Sequence, residues 1–280
     1  MQSLKDTFTL NNGVEIPCVG FGTWQTPDGD TAVESVYTAI EAGYRHIDTA
    51  SVYKNEKGIG KGILKSGVPR NELFITSKLW NADKGYDTTL AAFDKTLTDL
   101  GLEYLDLYLI HWPAIGNDGP EYNKETWRAF EKLYSEKRIR AIGVSNFKPH
   151  HLQALMEAAE VIPAVNQIEY HPGQMQHETV DFCRKYKILV EAWSPLGTGR
   201  MLTNLQLKNI AGQYEKSVAQ LCIRWCLQNN ALPLPKSVTP SRIKENTDVF
   251  DFEISPEDME LINALPYIGG SGLDPDKRNF

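Results

Sequence analysis

The sequence predicts a closed (β/α)8 barrel, a TIM barrel, with an N-terminal β-hairpin in front and a short C-terminal tail behind. Three observations predict it. Short β-branched runs alternate with amphipathic segments at the helical period from residue 43 to 250, the signature of βα units and a parallel sheet. The candidate strands number eight and, with their helices, occupy nearly all of the 280 residues, which suits a barrel better than a doubly wound sheet. The strands are also apolar without clean alternation, as they must be when covered inside and out.

Taken in order, residues 8–16 read as the hairpin, turning on Asn12-Gly13 because Asn-Gly supplies the positive φ angles of a tight hairpin turn. Such a hairpin is placed to plug one end of the barrel. The barrel strands follow at residues 19–21, 45–48, 73–78, 107–112, 141–145, 165–169, 189–193 and 232–236. Between them, Val33, Val36, Tyr37 and Ile40 share a helical face, as do Leu90, Phe93, Leu97 and Leu100, and then Leu152, Leu155, Met156 and Ala159. Each stripe covers the sheet. Gly43, Gly67 and Gly101 stop three helical patterns, and Ser255-Pro256 opens the last helix with an N-cap and a first-turn proline. Cys222 and Cys226, four residues apart in an apolar helical pattern, read as small buried hydrophobes. No linker, composition shift or sequence repeat divides the chain, so residues 1–280 are expected to form one domain.

Composition excludes several function classes. With 41% hydrophobic residues there is material for a large core, and disorder is excluded. An excess of 36 acidic over 29 basic residues, net charge -7, argues against a nucleic-acid or anionic-membrane surface. Any anionic ligand must meet a local basic site. No leader or membrane-length apolar run is visible, so a soluble, cytoplasmic protein is expected, and a monomer. Cys18, Cys183, Cys222 and Cys226 form no Cys-x-x-Cys pair, and no His-x-His or His-Glu-x-x-His spacing occurs, so no metal is expected. His46 reads as a core histidine, His150 and His151 as solvated at a helix start, and His171 as structural.

In such a barrel chemistry gathers where strands end at their C-terminal side. Asp48 ends the second strand, Tyr53 follows five residues later, Lys78 ends the third and His111 lies near the end of the fourth. Together they make a mechanism. A phenol with an ordinary pKa of about 10 is too weak an acid near neutrality, but a neighbouring lysine lowers it, and a buried lysine needs a counter-ion such as Asp48. His111 is suited to orient a carbonyl. The set therefore suits protonating a carbonyl oxygen while another group delivers hydride. The hydride source expected is a nicotinamide, yet no Gly-x-Gly-x-x-Gly opens a helix: the run 20–25 lacks the third glycine, and Gly58, Gly60 and Gly62 fall inside a helix. A barrel phosphate site remains available at residues 235–242, where Lys236, Ser237 and Arg242 gather as a helix begins.

Residues Gly43-Tyr44-Arg45-His46-Ile47-Asp48-Thr49-Ala50, Tyr53-Lys54-Asn55-Glu56, Ile142-Gly143-Val144-Ser145-Asn146-Phe147, Val165-Asn166-Gln167-Ile168-Glu169-Tyr170-His171-Pro172 and Trp193-Ser194-Pro195-Leu196-Gly197 resemble the aldo-keto reductases, in order and from hairpin to last helix. The likeness extends to the 2,5-diketo-gluconate reductases and prostaglandin F synthases. The resemblance implies NADPH-dependent reduction of aldehydes and ketones, an alcohol dehydrogenase (NADP+)-type activity, with Asp48, Tyr53, Lys78 and His111 as catalytic tetrad. It implies that Ser145, Asn146 and Gln167 bond the nicotinamide carboxamide, with Trp193 stacked on the ring where many relatives have tyrosine. Ser194, Pro195, Leu196 and Gly197 would line the pyrophosphate, and Lys236, Ser237 and Arg242 the 2′-phosphate, with Val238 among the cofactor contacts. Glu245 and Asn246 would meet adenine, and Thr23, Trp24 and Asp48 complete the cofactor contacts. Trp24, Trp80, Trp112 and His111 would line the substrate pocket, and the glycine-rich tail at residues 269–275 would fold over its mouth. Two other classes fit the residues less well: a nicotinamide-binding regulatory subunit, opposed by the intact tetrad, and a barrel hydrolase or isomerase, opposed by the lack of paired carboxylates or metal ligands.

Overall fold

The computed structural model describes residues 1–277. The chain opens with β1 (Thr7–Thr9) and β2 (Glu15–Pro17), paired antiparallel with Phe8 opposite Ile16. Gly13 takes φ +83°, which the Asn-Gly turn requires. Leu10 and Ile16 of this hairpin are buried against Phe74, Leu107, Val165 and Leu232, inward-facing barrel residues, so the hairpin plugs the floor. The Asn11 and Asn12 side chains donate to the Pro163 and Arg140 carbonyls and hold it there.

The barrel strands are β3 (Gly20–Gly22), β4 (His46–Asp48), β5 (Phe74–Leu79), β6 (Leu105–Ile110), β7 (Ile139–Ser145), β8 (Val165–Glu169), β9 (Leu189–Trp193) and β10 (Ala231–Leu234), parallel and in sequential order. The Gly22 amide donates to the Pro235 carbonyl at 3.0 Å and joins the first strand to the last. Their side chains divide into two apolar clusters. Ile47, Ile75, Tyr108 and Ile142 face the helices, while Phe74, Leu107, Leu109 and Val165 fill the interior. That division is why clean alternation is absent from the sequence. At Gly20 a Cβ would stand 2.4 Å from Leu234 Cδ2 and 2.6 Å from His46 Nδ1, so a side chain there is excluded where the barrel closes.

Around it lie α1 (Asp30–Glu41), α2 (Glu56–Ser66), α3 (Tyr86–Leu100), α4 (Gly119–Ser135), α5 (Pro149–Met156), α6 (His177–Lys185), α7 (Leu205–Gln213), α8 (Val218–Gln228), α9 (Pro240–Glu245) and α10 (Pro256–Asn263). Gly67 and Gly101 cap α2 and α3 in the left-handed conformation, and the Ser255 hydroxyl accepts the Asp258 amide at the start of α10, as expected. Cys222 and Cys226 are buried on α8. Some expectations shift. α1 buries Ala32, Val36, Ala39 and Ile40 rather than the Val33–Tyr37 side, because its small residues pack against the glycine face of α2, where a Cβ on Gly58 would meet Ala32 at 2.7 Å. β6 and β7 each begin two residues early. β10 stops at Leu234 rather than residue 236, because its partner β9 ends opposite it at Trp193. Among the described residues, no helix is long and apolar enough to cross a membrane.

Candidate active site

At the C-terminal ends of β4, β5 and β6 the structure brings the four candidate catalytic side chains together. Lys78 has no solvent exposure, and its Nζ lies 2.6 Å from Asp48 Oδ1 and 2.9 Å from the Thr49 carbonyl. The same ammonium stands 5.3 Å from the Tyr53 ring centre. Tyr53 ends a short 3-10 turn (Ser51–Tyr53) and meets the His111 ring edge-on at 5.7 Å, while Trp80 meets His111 at 5.4 Å. The turn is pinned from several sides. Ser51 donates to the Lys78 carbonyl, Thr23 to the Asp48 carbonyl, and the Asn55 amide to the Thr23 and Thr26 carbonyls.

Electrostatics follow from this burial. Desolvation raises the Tyr53 phenol above its ordinary value; Lys78 pulls it down and Asp48 pushes it up. The expected net lowering by Lys78 is therefore not what the site shows: burial outweighs the lysine, and Lys78 limits the rise. For Lys78, burial favours the neutral amine, but Asp48 and Tyr53 together hold it above its usual value, as an ammonium. Burial and then Lys78 and Lys84 hold His111 well below its usual range, so it is a neutral imidazole able to donate one hydrogen bond. His46 sits deeper, hydrogen-bonded to Thr76 at 3.0 Å and lowered by burial to about 3, a core histidine.

Beside the tetrad lies a second group. The Ser145 hydroxyl donates to the Gln167 carbonyl, and the Asn146 amide donates to the His111 carbonyl at 2.9 Å and to Ser145 Oγ at 3.1 Å. Trp193 Nε1 donates to Asn146 Oδ1 at 2.8 Å. Gln167 Nε2 lies 2.8 Å from Asp48 Oδ2. Ser194, Pro195, Leu196 and Gly197 follow β9 in a turn with positive φ at Ser194 and Gly197. On the other side of the mouth, Lys236 is half-buried, Ser237 and Asn246 are buried, and Val238, Arg242 and Glu245 are exposed. Among the described residues Lys236 bonds only the Gln25 carbonyl, and neither it nor Arg242 has a carboxylate partner. Two cations without counter-ions fit an anionic cofactor. Trp24 is exposed, Trp80 half-buried and Trp112 buried.

Sequence reasoning missed Glu191 and the tail's anchor. Glu191, fully buried on β9, accepts from Gln167 Nε2 at 2.7 Å; its inward parity with Trp193 was the available signal. Glu169 accepts both the amide and the hydroxyl of Ser271 at 2.7 Å, fastening the tail across the end of β8. Further along, Lys148 bonds Asp274 and Asp276, and His150 and His151 both place Nε2 near Asp276. His151 is thus half-buried rather than solvated, because the tail covers it. One ring nitrogen each of His150 and His151 and one carboxylate oxygen of Asp276 lie within 4.8 Å of one another. His151 Nδ1 accepts the Lys148 amide, which leaves the proton on Nε2 and makes it a donor to Asp276. Lys148 supplies the ion pair to Asp276, and the neutral His151 adds a hydrogen bond to it.

The fold is a parallel β/α barrel with these polar side chains gathered at the C-terminal ends of its strands. The aldo/keto reductase family profile matches residues 18–266. Glyoxal reductase of Bacillus subtilis (strain 168) is 55% identical over 278 residues, covering 99% of both chains. The 9,11-endoperoxide prostaglandin H2 reductase of Trypanosoma cruzi (strain CL Brener) is 49% identical over 271 residues, 96% of this chain and 94% of the other. Among solved structures, a mutant of Gox0644 in complex with NADPH superposes with a TM-score of 0.92 at 41% identity, covering 98% of this chain and 99% of that one. The chain belongs to the aldo-keto reductase family.

Proposed function

We propose that this protein reduces small aldehydes and ketones, dicarbonyls such as glyoxal among them, with NADPH, and that Tyr53 protonates the carbonyl oxygen. The observation that carries this reading is the buried Lys78–Asp48 pair at 2.6 Å, set behind Tyr53 with His111 edge-on beside it. NADPH, when bound, supplies the hydride. Lys236, Ser237 and Arg242 hold its 2′-phosphate, with Val238, Glu245 and Asn246 toward the adenine and residues 194–197 at the pyrophosphate. Ser145, Asn146, Gln167 and Trp193 hold the nicotinamide, alongside Thr23, Trp24 and Asp48.

The remaining steps belong to the chain's own groups. His111, neutral, donates a hydrogen bond to the substrate carbonyl oxygen and directs it toward Tyr53. Lys78 opposes the effect of burial on the phenol and stabilises the phenolate left after proton transfer. Asp48 keeps Lys78 charged. Trp24, Trp80 and Trp112 make an apolar wall that leaves few polar groups to orient the substrate. The chain acts as one domain and as a monomer in this reading, and it is supported by relatives that carry out related reductions. Adding glyoxal or a small aromatic aldehyde to enzyme and NADPH should consume NADPH; no consumption across aldehydes, ketoses and diketo acids would refute it.

A further inference from the structure

Glu191 lies mid-strand in β9, with Leu189 and Trp193 on the same inward parity, and has no solvent exposure. Its register partners are Gln167 on β8 and Leu232 on β10. Gln167 Nε2 stands 2.7 Å from Glu191 Oε2 and 2.8 Å from Asp48 Oδ2, while the other Asp48 oxygen holds Lys78 at 2.6 Å. One amide nitrogen carries two hydrogens, so it gives one to each carboxyl. A continuous chain of bonds thus runs from β9 to β5. The second oxygen of Glu191 has no partner among the described residues.

Asp48 and Lys78 are the charged groups that face Glu191, and the β10 neighbour, Leu232, is apolar. Burial, reinforced by Asp48, raises the Glu191 carboxyl to about 8, against the Gln167 bond and Lys78, which favour the carboxylate. It is therefore an uncharged acid near neutrality.

We propose that Glu191 is a positioning residue, which through the Gln167 carboxamide fixes Asp48 and so sets the Lys78 ammonium behind Tyr53. The inference rests on the reading of Tyr53 as proton donor. Gln167, with its nitrogen held between two carboxyl oxygens, cannot flip without aiming its own carbonyl oxygen at the Asp48 carboxylate. It occupies Oδ2 of Asp48 and leaves Oδ1 for Lys78. Without an acceptor at position 191 the amide loses one of two anchors. Asp48 is then free to turn both oxygens to Lys78 and draw the ammonium off the phenol, which becomes a weaker acid. Ionisation of Glu191 acts in the same direction, because added negative charge disfavours the phenolate.

The test compares wild type, Glu191→Gln and Glu191→Leu. In substrate-free enzyme, NMR of the Gln167 side-chain amide and the Asp48 carboxyl carbon should show one shared transition near pH 8, absent from Glu191→Gln. In turnover, the wild-type kcat should fall through the same transition. Glu191→Leu should lose about tenfold in kcat with KM within about twofold, and Glu191→Gln should restore the rate below the transition. An Asp48 signal blind to the Gln167 transition, an unchanged kcat profile in Glu191→Gln, or full kcat in Glu191→Leu would overturn the proposal. Should Glu191→Leu fail to fold, the Glu191→Gln profile still decides. Should wild type reduce no carbonyl, the proton-donor reading fails on that result alone, while the NMR transition still judges the coupling of Glu191 to Asp48.

Discussion

Replacing Lys78 by methionine isolates what the buried ion pair contributes. The two side chains are 0% and 4% exposed, so the carboxylate left behind is almost shut off from water and, among the described residues, keeps only the Gln167 amide as partner. The Thr49 carbonyl also loses its donor. Methionine fills most of the volume, which keeps a cavity cost out of the comparison. Breaking a buried pair by removing one partner costs about 3–5 kcal/mol, a large share of the ~5–15 kcal/mol that stabilises a typical fold. For a chain of this length that corresponds to a fall in Tm of roughly 6–10 °C. Changing Asp48→Leu in the same chain removes the stranded charge and should recover most of that loss, while activity stays absent in both variants. Urea melts followed by tryptophan fluorescence, with NADPH consumption measured in parallel, separate the two effects. A single variant as stable as wild type, or a double variant no more stable than the single, would refute the buried-pair reasoning.

Other outcomes follow from the same structure. Lys236→Ala with Arg242→Ala should weaken NADPH by about 10–100-fold and NADH by far less, measured by fluorescence titration; equal weakening would remove the 2′-phosphate role. Burial raises the Glu56 carboxyl from 4.5 to about 7, against its bonds to Ser77 and Thr96. Its folded value lies above the unfolded one, so the folded state keeps the proton between them and stability falls as pH rises through that window. Glu56→Gln should therefore flatten that part of the stability profile and add roughly 2–3 kcal/mol at pH 8; an unaltered slope from urea melts would contradict it. Gly20→Ala should cost about 1–3 kcal/mol through contact with Leu234 and His46, and a wild-type Tm would show that the strand junction can yield.

The barrel was legible because its strands pack on both faces, which writes continuous apolar runs such as residues 107–110 into the chain, and because Asn12-Gly13, Gly67, Gly101 and Ser255 mark turns and caps by local chemistry. The α1 face was not, since alanines carry little hydrophobic signal and their burial is decided by the glycines of α2. At the site, Asp48, Lys78 and His111 stood out as polar residues ending apolar strands. Glu191 did not, because an acidic residue inside a strand looks like a solvent-facing one until Gln167 and Asp48 are seen around it. The tail contacts were equally hidden: Glu169 with Ser271, and Lys148 with Asp274 and Asp276, are more than a hundred residues apart and depend on the completed fold. The same holds for the Tyr53 phenol, whose proximity to Lys78 was expected but whose net balance depends on how deeply the fold buries it.

Tyr53→Phe isolates the proposed role of the Tyr53 hydroxyl as proton donor in NADPH-dependent carbonyl reduction. The substitution removes one oxygen and leaves the ring against His111. The variant should bind NADPH as wild type does by fluorescence titration and lose at least about a hundredfold in kcat for glyoxal. Turnover at the wild-type rate with NADPH binding intact would contradict the claim.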